Sequence, residues 1–413
     1  MNVCVLGIGF IGLPTACLIA SSGYNVLGVD INEDYVNRLK SNRFYTNEKD
    51  LNAILNKTLN KSFFIDTKPD KADIFIICVP TPLDKENKPD LSYVNDAINS
   101  ILPYLEKGNT VIVESTIPPL TTREIIKPKI EALGYEIGKD IYLAHCPERV
   151  IPGNILYELV HNNRIIGGIT ENCSNNVKKF YEKFVKGEIH TTTAEIAEMV
   201  KLIENSFRDV TIAFANEILL SCNELNIDPY DVIFLANKHP RVNIPNFGIG
   251  VGGHCLPVDT HFIIDKFPNS STLISTARKI NDSMPKYIVS KIEKFLNKVD
   301  NPKIGIWGIT YKKNTSDIRN SPSMEIVRML KDKGYDVKIY DPLVDAINYD
   351  NIRYESVLRS NFLIILVDHD EFLKEDFNEI AKLMDTPIML DATNIIEKIN
   401  LPKSFEYHNL MKS

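Results

Sequence analysis

At 413 residues, 44% of them hydrophobic and 24% charged, the chain is too long for one ordinary core and reads as two or three globular domains. Its formal net charge of -7 excludes a global attraction to nucleic acid or an anionic membrane, so any phosphate-bearing ligand must be met by local Lys and Arg side chains and backbone N–H groups. Seven scattered cysteines (Cys4, Cys17, Cys78, Cys146, Cys173, Cys222, Cys255) without CxxC spacing argue against a disulfide framework and a structural zinc site, so no metal is expected and the reducing cytoplasm is the expected compartment.

The apolar opening "MNVCVLGIGFIGLPTACLIASSG" has no basic residue before it and is broken early by glycines, unlike a signal peptide. Elsewhere no uninterrupted apolar run reaches about 20 residues, and no membrane span is expected. Strand-like runs follow in chain order: "VCVL", "NVLGVD" ending at Asp30, "DIFIICVP" ending at Pro80, "TVIVEST" ending at Thr116, "IYLAH" and "RIIGG". Helical patterns between them predict a doubly wound α/β domain with a parallel sheet. Ligands of such sheets collect at the carboxyl ends of the strands, which singles out Gly7, Asp30, Pro80, Thr81, Ser115 and Thr116.

From about Thr191 the texture changes to one long helix, with Ile196, Met199, Val200, Ile203, Phe207 and Val210 at apolar spacing and Lys201, Asn205 and Arg208 on the other face. A second helical stretch begins near Ser271, with Pro285 expected to kink or break it. After Asn301 the strand pattern returns in "KIGIWGIT", "DVKIYDP", "NFLIILVDH" and "PIMLDATN". The predicted plan is two Rossmann-like domains, 1–192 and 301–413, joined by a central helical domain over 193–300, with chemistry in the cleft between them.

"GIGFIG", with Gly7, Gly9 and Gly12 between a strand and a helix and Asp30 closing the next strand, has the context that a dinucleotide requires. Asp30 would repel a 2′-phosphate, so NAD is favoured over NADP. The second α/β domain lacks GxGxxG and is not assigned a complete dinucleotide site. In "FGIGVGGHCLPVD", Gly252 and Gly253 leave room beside Cys255, while His254 and Asp259 can assist proton transfer. A thiol there suits an enzyme that carries an alcohol through an aldehyde to an acid, because hydride can leave a thiohemiacetal on Cys255. Lys201 beside Asn205 is a donor pair suited to an oxyanion.

The ordered segments "GIGFIGLPTA", "VPTP", "ESTIPP", "CPERVIPGN", "AEMVKLIENSFRDV", "GVGGHCLPVD" and "ITYKKNTSDIRNSP" resemble the UDP-glucose/GDP-mannose dehydrogenase family over nearly the whole chain. "CPERVIPG", "NRIIGG" and "LANKHPRVNI" resemble the branch acting on UDP-N-acetyl-D-mannosamine more than those acting on UDP-N-acetylglucosamine or UDP-glucose, and Arg149 weighs against UDP-glucose. The resemblance implies oxidation of a sugar C6 alcohol to the carboxylate with two NAD used in turn, in the service of surface polysaccharide synthesis. It makes Cys255 the nucleophile, Lys201 and Asn205 the oxyanion donors, and Asp259 a group that positions or activates water. Thr116 and Glu148 fall where the family holds a catalytic water and substrate.

It further implies NAD contacts from Gly7, Gly9, Phe10, Ile11, Gly12, Asp30, Pro80, Thr81, Ser115, Thr116 and Arg319. The UDP-sugar substrate would meet Glu148, Arg149, Val150, Lys201, Asn205, Arg208, Arg241, Phe247, Gly252, Gly253, His254 and Lys312. Arg241 would reach the site of a neighbouring subunit, so a homodimer or higher homo-oligomer is expected. Three departures stand out: Phe10 replaces the usual Tyr, Leu120 stands where Gly is frequent, and "KKNTSD" differs around Lys312. Of two other readings, a two-electron hydroxyacid dehydrogenase predicts one NADH per substrate and indifference to loss of Cys255, while a catalytically silent NAD-binding scaffold has no need of Cys255, Lys201, Asn205 and Asp259 together.

Overall fold

Val3, Cys4, Val5 and Leu6 are all buried in the computed structural model, as a parallel strand covered on both faces by helices requires. The structure describes the chain apart from residues 42, 44, 45, 47, 152, 345–352, 398 and 413; Pro152 of the "CPERVIPGN" segment is therefore outside the described residues. Two compact units divide the chain: Met1–Glu204 with His261–Pro268, and Asn205–Thr260 with Asn269–Ser413.

The first unit holds an eight-stranded sheet in the order β3-β2-β1-β4-β5-β6-β7-β8. Its strands are β1 (Asn2–Leu6), β2 (Asn25–Val29), β3 (Phe63–Asp66), β4 (Ile74–Ile77), β5 (Thr110–Val113), β6 (Tyr142–His145), β7 (Arg164–Gly168) and β8 (Ile189–Thr193). Alternate side chains feed two apolar layers. Val3 and Val5 pack with Leu13, Ile19, Phe63 and Tyr181 on one face, and Cys4 and Leu6 pack with Phe75, Ile98, Val111 and Leu143 on the other. Each such buried aliphatic side chain stabilises the fold by about 1.5–3 kcal/mol.

The sheet is not wholly parallel, because β7 runs antiparallel to β6. That pairing needs no crossover helix. In the second unit five parallel strands follow the order β10-β9-β11-β12-β13: β9 (Lys303–Trp307), β10 (Asp336–Tyr340), β11 (Phe362–Ile365), β12 (Ile388–Asp391) and β13 (Glu406–Asn409). Met284, Ile288 and Ile292 cover one face with Ile304 and Ile306, while Trp307, Leu363 and Phe372 form the layer on the other. The α/β class with two Rossmann-like sheets and a long helix therefore agrees with the sequence. Strands β3, β8 and β13 were not expected from it. All three lie at sheet edges, where one side of the strand is unpaired and the apolar signal is short or absent.

The helix Thr272–Leu296 continues through Pro285, so the proline does not break it. Proline removes the bond to the Asn281 carbonyl. Gly250 passes so close to that carbonyl that a Cβ there would lie 3.2 Å from it and 3.3 Å from the proline ring. Tertiary packing thus holds the turn that proline weakens.

Candidate active site

The turn after β1 is built for close approach. Gly7 has φ +83°, and a Cβ on it would lie 2.7 Å from the Cys78 carbonyl oxygen; one on Gly12 would lie 1.9 Å from the Gly7 carbonyl oxygen. A Cβ on Gly9 would meet nothing within 4 Å, which leaves that face of the turn open. No side chain caps the helix Gly12–Ser21 that follows, and no acid occupies its first turn, so its N–H groups suit a pyrophosphate. Asp30 follows β2 and accepts from the Asn32 N–H at 3.0 Å. The loops after β4 and β5 are pinned together: Thr81 Oγ1 donates to the Thr116 carbonyl at 2.7 Å and Ser115 Oγ to the Val79 carbonyl at 2.7 Å. Pro80 and Phe10 are exposed and Ile11 is half-buried. These residues fit NAD.

Glu148, Arg149 and Val150 follow β6. The Glu148 side chain is 12% exposed, and its Oε1 accepts from the Arg149 N–H at 2.6 Å while Oε2 lies 3.4 Å from Arg164 Nη2. Burial pushes its carboxyl above the usual range, with Arg164 and Lys201 opposing the rise. The Arg149 guanidinium is tied to Glu204 at 3.0 and 2.6 Å and to the Asn163 carbonyl at 3.1 Å. Val150 packs on the apolar core of this unit. His145 at the end of β6 is fully buried, and burial drags its pKa down to about 3, with the Val113 backbone opposing the fall and Lys201 adding to it.

In the second unit Asn205 Nδ2 donates to Asp259 Oδ2 at 2.5 Å, both groups being buried. Cys255 immediately precedes the helix Leu256–Lys266 and is half-buried; its carbonyl accepts from the Val258 and Asp259 N–H groups at 3.1 and 2.8 Å. Sulfur at that helix end sits where the dipole favours an anion. Gly252 and Gly253 lie against the loop after β9: a Cβ on Gly252 would be 2.5 Å from the Asn320 carbonyl oxygen, and one on Gly253 would be 3.0 Å from the Tyr311 ring. The Gly253 N–H donates to the Arg319 carbonyl at 3.0 Å and Asn320 Nδ2 returns to the Gly253 carbonyl at 3.0 Å. That loop also carries Lys312, exposed with Nζ 5.5 Å from the Tyr311 ring centroid, and Arg319, which grips Asp317 through Nε and Nη2 at 2.7–3.1 Å. His254 Nδ1 is 3.8 Å from the same Asp317. Phe247 packs on Tyr230, whereas Arg208 and Arg241 are exposed.

The long helix Ala194–Leu225 does not bury its apolar stripe as a block: Met199, Val200 and Val210 are half-buried, and Arg208 of the other face is exposed. Ile196, Ile203 and Phe207 of the apolar stripe are exposed, while Asn205 is buried and Lys201 half-buried. Glu198, Asn205, Asp209 and Asn216 are buried because they find partners. Glu198 accepts from Thr122, Asp209 receives Arg278 Nη1 at 2.6 Å and Asn281 Nδ2 at 2.9 Å, and Asn216 Oδ1 receives the Gly248 N–H of the glycine-rich segment at 2.9 Å. The sequence reading missed Arg164, Glu114, Glu204, Tyr311 and Asp317. A signal existed for two of them: Glu114 and Arg164 are charges inside strand runs that are otherwise apolar.

The UDP-glucose/GDP-mannose dehydrogenase family models match three segments: the NAD binding domain over residues 1–185, the central domain over 195–283 and the UDP binding domain over 305–398. A UDP-N-acetyl-D-mannosamine dehydrogenase of Methanocaldococcus jannaschii is 49% identical over 96% of this chain and 93% of its own length. The structure of the UDP-N-acetyl-mannosamine dehydrogenase of Staphylococcus aureus is similar at a TM-score of 0.91 and 44% identity, covering 100% of this chain and 99% of that one. A UDP-D-ManNAc dehydrogenase from Pyrococcus horikoshii is similar at 0.93 and 40% identity, with coverage of 100% and 99%. No helix among the described residues is long and apolar enough to cross a membrane.

Proposed function

Because the chain belongs to the UDP-glucose/GDP-mannose dehydrogenase family and is an NAD-dependent dehydrogenase of that kind, we propose that its substrate is UDP-N-acetyl-D-mannosamine, oxidised at C6 to the carboxylate. Relatives of that activity over the full length support the choice of sugar. The observation that carries the mechanism is the setting of Cys255, at a helix N-terminus one turn before an Asp259 that is hydrogen-bonded to Asn205.

NAD, when bound, accepts a hydride from C6 in each of the two oxidations. The first leaves an aldehyde. The Cys255 thiolate adds to its carbonyl carbon, and the resulting oxyanion is met by the Lys201 ammonium and the Asn205 amide. Loss of the second hydride turns the thiohemiacetal into a thioester. Water then attacks, the C–S bond breaks and the thiolate returns, with Glu148, Thr116 and Asp259 holding the water and its proton. Arg319 and Lys312 supply charge to the diphosphate groups, with Arg319 exchanging its Asp317 partner for the cofactor.

The division of labour follows 1–192 for NAD, 193–300 for the central helices and 301–413 for UDP. We also read the exposed apolar face of the long helix as the contact of a homodimer, in which Arg241 serves the neighbouring site. Seven cysteines without a disulfide suit the cytoplasm, and the uronate product suits surface polysaccharide assembly.

The test follows NADH with limiting UDP-N-acetyl-D-mannosamine, alongside the N-acetylglucosamine and glucose nucleotides. The expected result is about two NADH per sugar, with turnover abolished by Cys255→Ala. One NADH per sugar from a Cys255→Ala variant that still turns over would overturn the thioester mechanism.

A further inference from the structure

Behind Glu148 lies a second buried carboxylate. Glu114 follows β5 and is 2% exposed. Its Oε1 accepts from the Tyr181 hydroxyl at 2.6 Å and from Arg164 Nη1 at 3.1 Å, and its Oε2 accepts from the Cys78 thiol at 3.3 Å. The same guanidinium, 6% exposed and 4.4 Å from the centroid of the Tyr181 ring, reaches Glu148 through Nη2 at 3.4 Å. One guanidinium therefore stands between two carboxylates in a setting too dry for solvent to screen them.

The other groups packed around this pair do not supply the missing charge. Burial pushes the Cys146 thiol, 3.6 Å from Arg164 Nη1, up to about 12, and pushes the Cys78 thiol and the Tyr181 phenol upward as well, so all three are neutral. Lys201, from the long helix, is the further cation acting on Glu148. His145 is neutral. The two acids also differ in role. Glu114 is enclosed by three donors, whereas Glu148 keeps a solvent-facing edge and is the member able to exchange a proton.

We propose that Arg164 and Glu114 are positioning residues that form a buried charge balance under Glu148, setting the pH range over which Glu148 exchanges a proton with water in the acid-forming half of the reaction. The proposal rests on the reading of Glu148 given above. Arg164 favours the Glu148 carboxylate by attraction and fixes its orientation. Glu114 works the other way, by repulsion and by drawing the guanidinium to itself. Removing either charge must move Glu148 in opposite directions, an outcome that loss of packing alone does not produce.

The test titrates the Glu148 carboxyl by infrared difference spectroscopy, the band being assigned by its loss in Glu148→Gln. In Glu114→Gln the midpoint falls by about one pH unit, a tenfold loss of proton affinity; in Arg164→Gln it rises by at least as much, and Arg164→Lys lies between that variant and the parent. The acidic limb of the kcat profile moves in the same directions as the midpoints. Should Arg164→Gln not fold, Arg164→Lys and Glu114→Gln still give opposite shifts. Shifts of the same sign, or none, would overturn the proposal. Failure of the unsubstituted enzyme to oxidise any UDP-sugar would sink the functional reading instead, leaving the infrared midpoints to decide the charge balance.

Discussion

Leu120 has a left-handed backbone, φ 73°, so the turn takes a conformation that favours glycine without having one. Its N–H donates to Glu198 Oε2 at 2.6 Å, and Thr122 contributes its N–H at 2.8 Å and its hydroxyl at 2.6 Å to Oε1. Those bonds hold the turn against a steric cost of about 1–2 kcal/mol for an L side chain. The usual order of Ala over Gly should reverse here: Leu120→Gly is expected to be more stable than Leu120→Ala by about 0.5–1 kcal/mol in denaturant unfolding. Equal stabilities would remove the strain. Glu198 itself is 1% exposed, and burial pushes it up to about 7 although three donors favour its charged form. A carboxyl raised above its unfolded value of about 4.3 contributes stability that is full below that pH and is lost as pH rises through 7. The advantage of the parent over Glu198→Gln should therefore shrink by about 2–3 kcal/mol between about pH 4 and pH 8, as measured by unfolding at each pH. A flat difference would contradict it.

The element that departs most from its sequence pattern is the helix Ala194–Leu225. Ile196, Ile203, Phe207 and Phe214 are 52%, 47%, 67% and 53% exposed, and their spacing places them along one face. An exposed apolar face of that kind suits the homodimer contact proposed above. If the proposed homodimer forms through this face, the double variant Ile203→Glu, Phe207→Glu is expected to be a monomer in sedimentation equilibrium with helix content unchanged, since both side chains are exposed within their own chain. Association undiminished in the variant would rule this face out. Pro285 makes the complementary point about elements. A residue that ends helices in isolation is tolerated where Gly250 packs against the carbonyl that proline leaves free.

Across the whole molecule, each unit has its own apolar layers and its own sheet, but only the first carries the open Gly9 turn. Saturating NAD, at about 100 times its Kd, should slow amide exchange around Gly9–Leu13 by about 100-fold, and UDP should do the same for the loop after β9 that carries Lys312 and Arg319. Hydrogen exchange read by mass spectrometry distinguishes the two. Protection of the β9 loop by NAD with none around Gly9–Leu13 would mean that the second sheet, despite lacking GxGxxG, holds the dinucleotide.

What the sequence determined by itself was whatever local chemistry dictates. Apolar runs of four or five residues forecast β1, β4 and β5 because both faces of such strands are buried, and "GIGFIG" forecast a turn that only glycine fits, as the contacts of Gly7 and Gly12 show. The family itself was readable from seven ordered segments. The tertiary structure alone decided the rest. It turned the long helix so that Asn205, Asp209 and Asn216 face inward, because their partners come from segments tens of residues away, and helical periodicity carries no information about distant donors. It likewise joined Glu114, Arg164 and Tyr181, which are 50 and 67 residues apart, into one buried cluster with Glu148. A charge inside an apolar run shows in the sequence that a buried partner must exist, and only the folded chain shows which one.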